Sequence, residues 1–174
     1  DKSTCICITP GNIVLIGGEI SDTASFNNLE VSGKGRRLFI AGMDSSGRFN
    51  WVRTFTSTGD ASINNISAGY DGKIYVSGMF SGLLQTEGLE VSGRGGRDIF
   101  ISRLNSSGVP EELFYLGGPE DDIQSSLSVD GAGNLALSGH FGSQVEQGDG
   151  RFDTGSTDPT PGSFVASFDR GFNT

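Results

Sequence analysis

The side chains with the greatest capacity for chemistry are few in this 174-residue sequence: Cys5, Cys7, a single histidine at 140, and scattered groups of Asp, Glu and Arg. Cys5 and Cys7 stand two apart in Thr-Cys-Ile-Cys-Ile-Thr. On a strand those positions share one face, so both thiols point the same way. A zinc site needs four ligands, and His140 is the only imidazole to add. The plainer reading is a pair of small residues on a buried strand face, ahead of a disulfide or a metal. No Ser or Cys stands with His140 and an acid at a recognisable triad spacing, so His140 reads as a packing or capping residue. No catalytic residue is expected.

Two acidic groups have the composition of calcium ligands. Glu120, Asp121 and Asp122 precede an apolar run, and Asp149, Asp153 and Asp158 punctuate a Gly/Thr/Pro-rich stretch. Calcium takes several oxygens from flexible loops, but neither group has EF-hand or repeat-in-toxin spacing, and solvated turns are the plainer expectation. Lys34, Arg36 and Arg37 recur as Arg94 and Arg97, a candidate basic rim for carboxylates or acidic glycans, weighed against scattered surface charge. Gly93-Arg94-Gly95-Gly96 opens no helix, so it is no phosphate cradle. Asp44-Ser45-Ser46-Gly47, running on to Trp51, reads as an Asx-type turn followed by a tryptophan docked between sheets. Its spacing fits neither the Asp-box nor the quinoprotein docking turn and implies no quinone.

The elements that must carry these residues are set by a repeat. Gly-Asn-Ile-Val-Leu-Ile-Gly-Gly begins at Gly11, and similar blocks begin at Gly72 and Gly133, 61 residues apart. Leu29-Glu30-Val31-Ser32-Gly33 returns from Leu89, and Phe39 to Gly47 returns as Phe100 to Gly108, with a shifted copy from Phe164. The alternation predicts first strands at Cys5–Thr9, Ile63–Tyr70 and Ile123–Asp130, with Ile6 and Ile8 matching Leu127 and Val129. Second strands follow Gly11, Gly72 and Gly133, with recurring glycines at Gly17, Gly78 and Gly139. A long Gly/Ser-rich connection leads to third strands centred on Ile40, Ile101 and Val165. Fourth strands are expected at Asn50–Phe55 and Glu112–Leu116. Seven alanines, three lysines and 28 glycines leave little for helices, and the glycines lack the collagen period. This predicts an all-β chain of four-stranded antiparallel units: residues 1–61, 62–122, and 123–174 without its last strand.

Tandem four-stranded units of this kind stack as the blades of a β-propeller. Gly72-Lys73-Ile74-Tyr75-Val76-Ser77-Gly78, Asp98 to Gly108, Leu116-Gly117-Gly118 with Asp121, and Ser128 to Asn134 together resemble the glycine-rich, SBBP-type propeller repeats of secreted and surface bacterial proteins. The first copy departs from the pattern at Thr56-Ser57-Thr58-Gly59, and the third carries the insertion from Gly148 to Pro161. The resemblance implies a non-enzymatic extracellular or cell-surface role, with the periplasm as the other compartment, and adhesion or structure as the task. About three blades make an incomplete ring. Two explanations of the open edges stand. The favoured expectation is that the chain, which begins at Asp1, is a processed form or a fragment, with remaining blades or other chains at those edges. The other is that several copies assemble to finish the ring. A net charge of −9 excludes nucleic acid as a favoured partner. No apolar run approaches the roughly 20 residues of a membrane span. Carbohydrate binding and polysaccharide hydrolysis are the alternative functions. Phe26, Phe39, Phe80, Phe100, Phe141 and Phe164 are the aromatics to place, and those near strands are expected in the core.

Overall fold

The computed structural model describes residues 1–142, 145–147, 150–152 and 162–172. The chain is all-β among these residues and falls into three consecutive antiparallel units, called sheets 1 to 3 in chain order. Their strands hydrogen-bond as two six-stranded, one three-stranded and one two-stranded sheet. Sheet 1 is built from β1 (Lys2–Ile8) and β2 (Val14–Ser21), then, after the short hairpin β3 (Ala24–Phe26) and β4 (Leu29–Val31), from β5 (Arg36–Met43) and β6 (Phe49–Ser57). Sheet 2 repeats this plan with β7 (Ala61–Ala68), β8 (Ile74–Phe80), hairpin β9 (Leu83–Thr86) and β10 (Leu89–Ser92), β11 (Asp98–Leu104) and β12 (Pro110–Gly117). Sheet 3 has β13 (Ile123–Val129), β14 (Leu135–Phe141), hairpin β15 (Val145–Gln147) and β16 (Gly150–Phe152), and β17 (Gly162–Phe168). The first expected unit boundary, at 61/62, falls one residue inside β7, and the second, at 122/123, falls just before β13.

Strand alternation gives sheets 1 and 2 two apolar faces each, whereas sheet 3 has one, its other face carrying Ser128, Ser138, His140, Ser163 and Ser167 beside Val165. The face of sheet 1 carrying Leu15, Leu38, Ile40, Trp51 and Phe55 packs on the face of sheet 2 carrying Ile66, Val76, Phe80 and Phe100. The opposite face of sheet 2, with Tyr75, Ile99, Ile101 and Leu116, packs on Leu127, Leu137, Phe141 and Phe168 of sheet 3. We call the face toward the next sheet forward and the other backward. Each fully buried Ile, Leu or Phe contributes about 1.5–3 kcal/mol, so these junctions supply most of the cohesion. Phe39, Phe100 and Phe164 occupy one register position, opposite Gly18, Gly78 and Gly139. Phe100 is wholly buried at the first junction, whereas Phe164 is half-buried and stacks on Phe141.

The register corrects the repeat alignment by one residue. Gly18, not Gly17, is the counterpart of Gly78 and Gly139. In the first turn Asn12 (φ 59°) takes the left-handed position held by Gly72 (φ 80°) and Gly133 (φ 86°). Asn tolerates that conformation, and the chance match at Gly11 disguised the substitution. A slip of one residue exchanges the two faces of a strand. Leu15 therefore corresponds to Tyr75 and faces forward, while Ile16 corresponds to Val76 and faces backward.

Each first strand also bulges, between Ser3 and Cys5, Ile63 and Asn65, and Gln124 and Ser126. The bulge pushes its backbone toward the glycine across the ladder. A Cβ on Gly18, Gly78 or Gly139 would lie 2.1 Å from the Lys2 oxygen, 1.8 Å from the Ser62 oxygen or 2.3 Å from the Ile123 oxygen, respectively. Backbone cannot yield as a side chain can. Gly78→Ala should therefore cost at least about 1–3 kcal/mol in chemical denaturation, as overpacking does; a change below a few tenths would refute the bulge–glycine pairing.

Candidate interaction site

The hairpins, which sequence patterning leaves as part of a long connection, prove to be the grip between sheets. β9 does not extend its own sheet. It pairs antiparallel with β6 of sheet 1 through Thr56↔Gln85 and Ser57↔Leu84. β15 likewise pairs with β12 through Leu116↔Gln147 and Gly117↔Glu146. Side chains reinforce the first grip: Thr86 Oγ1 donates to the Thr54 carbonyl at 3.0 Å, and Arg53 Nε pairs with Glu87 at 3.0 Å. The repeated Leu-Glu-Val block with its Asn27-Asn28 or Glu87-Gly88 turn was the available signal: four residues of alternation beside a turn able to adopt positive φ.

The third hairpin has no such partner. β3 and β4 pair only with each other among the described residues. They fold over the backward face of sheet 1, where Phe26 packs on Phe39 and Phe49 with ring centroids 5.1 and 5.3 Å apart. Phe26 is thus held against the sheet, not presented for stacking on a sugar. The same face stays open nearer β1. Ile6 is 68% exposed, whereas Ile66 and Leu127, at the same register position, are 6% and 5% exposed. Ile8 beside it is 65% exposed. Cys5 and Cys7 lie on the other face, free and half-buried against the first junction, and burial pushes the Cys5 thiol up.

Aromatic docking differs between the two junctions. Trp51 slots between Gly42 on β5 and Gly108 in the β11–β12 turn, each too close to accept a Cβ. At the second junction the turn supplies the ring instead. Phe172 holds the position equivalent to Gly108 and packs on Phe114 at 4.2 Å between centroids, with the Arg103 guanidinium 5.5 Å over its face. Its φ of 61° costs a bulky residue about 1–2 kcal/mol, offset by burial of the ring. The Asx turns expected from Asp44 are present: its Oδ1 accepts from the amides of Ser46 and Arg48, which with the Ser46 hydroxyl hold its carboxyl below the usual range.

The candidate basic rim is engaged internally. Arg36 pairs with Glu19 at 2.6 Å, Arg37 donates to the Ser32 and Asp22 carbonyls, Arg94 Nε donates to the Tyr115 hydroxyl at 2.8 Å, and Arg97 pairs with Asp121 at 2.9 Å. Arg36 and Arg37 sit on sheet 1, Arg94 and Arg97 on the loop before β11. Of the candidate calcium ligands, Asp121 is taken by Arg97, Asp122 is buried, and Glu120 is exposed. Asp149, Asp153 and Asp158 lie outside the described residues. Among the described residues no three His, Cys, Asp or Glu side chains gather as a metal site. His140 is exposed on the forward face of sheet 3, its Nδ1 3.1 Å from the Ser163 hydroxyl. An exposed tyrosine, Tyr70, borders a recess of about 190 Å³ with Pro10, Lys73 and Ser106.

Sequence reasoning also missed a buried acid pair beside the second grip. Asp98, fully buried, accepts the Arg94 amide at 3.1 Å through Oδ2, while its Oδ1 has no hydrogen-bond partner. Asp122, 1% exposed, accepts the Gly118 amide at 2.8 Å and the Gly142 amide at 3.3 Å. Burial pushes each carboxyl up to about 6, with neighbouring carboxylates adding to the rise. No family model matches the chain, and no curated protein matches it.

A carboxyl raised in the folded state favours its proton there. The stability it contributes is full below its ordinary value near 3.8 and is lost as pH rises through about 6. Asp98→Asn keeps a neutral group in place. Its melting temperature should exceed that of the unaltered chain at pH 8, and the gap should close between about pH 7 and 4. Parallel pH profiles would refute this.

Proposed function

We propose that the chain is a non-catalytic structural or protein-interaction module of an extracellular or cell-surface protein, its sheets being blades of an SBBP-type β-propeller. The internal repeat, the backward reach of the β9–β10 and β15–β16 hairpins and the stacked apolar faces support the blade reading. The single observation that carries the interaction reading is Ile6, exposed where its two counterparts are buried by a preceding sheet. Exposed isoleucines at the inner edge of an otherwise buried face mark a contact surface.

A photoreactive residue placed at position 6 in the producing cell tests this. Protein cross-links at the cell surface are expected, and they should be lost when the probe is moved to position 70. Absence of cross-links at position 6 would remove the reading. A glycan-array hit abolished by Tyr70→Ala would replace it with carbohydrate binding at the Tyr70 recess.

A further inference from the structure

The two grips share one register, Thr56↔Gln85 at the first corresponding to Gly117↔Glu146 at the second, yet different chemistry pins them. At the first, the pins are neutral hydroxyls. Thr58 Oγ1 accepts the Leu83 amide at 2.9 Å, and the Ser57 hydroxyl donates to the Ser81 carbonyl at 2.9 Å. Glu87, which pairs with Arg53 there, is exposed. At the second grip Gly118 stands where Ser57 stands, and Gly142 where Ser81 stands. Both amides are held by the Asp122 carboxyl, Gly118 on Oδ2 and Gly142 on Oδ1, while the Asp122 amide donates to the Arg97 carbonyl at 2.6 Å. One residue thus joins the end of β12, the chain leading to β15 and the loop before β11. Asp98 flanks the same point: its Oδ1 leaves no room for a Cβ on Gly117, the residue opposite Glu146.

The preceding unit has Arg37 and Ala61 at the places of Asp98 and Asp122, so the buried acids belong to the second grip and not the first. Around them stand Glu120 and Asp121 on the loop of Asp122, Arg94 and Arg97 on the loop before β11, and Glu146 across the ladder. Arg97 is engaged by Asp121, and the attraction of Arg94 for Asp98 is smaller than the penalty of burial. Two carboxyls out of water and in each other's field favour their neutral forms. We propose that the β12–β15 grip is a proton-operated latch, closed while Asp98 and Asp122 are neutral and slackened when they ionise, beside a β6–β9 grip that the same protons leave untouched. Slackening returns both carboxylates to water and frees the loop and hairpin, while the apolar face of the junction stays seated. Burial pushes each carboxyl up to about 6 from 3.8, so the hold is full below 3.8 and is lost as pH rises through about 6.

Amide hydrogen exchange by NMR, expressed as protection factors corrected for the intrinsic rate at each pH, tests this on the whole chain. Between about pH 5 and about pH 8 the protection of the Gly118, Asp122 and Gly142 amides should fall about tenfold or more, the linkage expected of one such acid. The Thr58 and Leu83 amides, which bond each other's residues at the first grip, should change by less than about twofold. Asp98→Asn should shrink the step at the second grip, and Asp98→Asn combined with Asp122→Asn should abolish it. Thr58→Ala should loosen the first grip equally at both pH values, which separates a weak grip from a proton-operated one. Equal loss of protection at both grips would overturn the proposal, because the acids would then act on the whole fold. Unchanged protection at Gly118 and Gly142 would overturn it too, as would a step that survives in the double variant. The first two outcomes are read on the unaltered chain, so a double variant that fails to fold leaves the test intact.

Discussion

A sheet with two apolar faces cannot finish its own folding, and in this molecule the remedy is a short strand that belongs to one sheet by sequence and to its predecessor by hydrogen bonding. β9 lies on β6 and β15 on β12. Each pairing is only two residues long, yet it fixes how far one sheet can slide over the next. Once that offset is set, Phe100 meets Phe55, and Trp51 reaches Gly108. The bulges on the first strands follow from the same demand, since they bring the strand backbone close against the glycine across the ladder.

Much of this is legible in the order of the residues. The period, the order of four main strands per unit, the Asx turns and the docking of Trp51 between sheets all follow from local rules: alternation, turn chemistry and the bulk of an aromatic. Gly17 aligns by residue identity with Gly78 only because Asn12 does what glycine does in a turn, and shared backbone conformation leaves no mark in residue identity. The hairpins were missed because three or four residues of alternation, as in Ala24–Phe26, are too short to stand above the noise of a Gly/Ser-rich stretch. The Asp98–Asp122 pair was invisible for a different reason. The two acids are 24 positions apart in sequence, and only the meeting of the loops before β11 and β13 makes them neighbours.

The site-bearing residues divide along the same line. Arg97 and Asp121 each stand out in the sequence as loose charges with a capacity for ligands, and the fold spends them on each other. An arginine–carboxylate contact at an exposed loop is worth little in stability, but with two guanidinium donors on Oδ2 and the Arg97 amide on Oδ1 it fixes geometry. Here it ties the loop before β11 to the one before β13, beside the buried acids. Ile6 moved the opposite way. By pattern it is an ordinary inward residue of an alternating strand, and its exposure becomes informative only beside two counterparts that are buried.

Trp51 is the only tryptophan in the chain, and it is wedged between two glycines drawn from different sheets. The ring therefore belongs to the first junction alone, while the second is closed by phenylalanine and a guanidinium, which do not emit in the same band. Nature has left the molecule with one optical gauge, mounted on a single hinge of the stack. Its emission records whether sheets 1 and 2 are seated and is blind to sheet 3. Loosening of the far end would pass in silence until the near end also came apart.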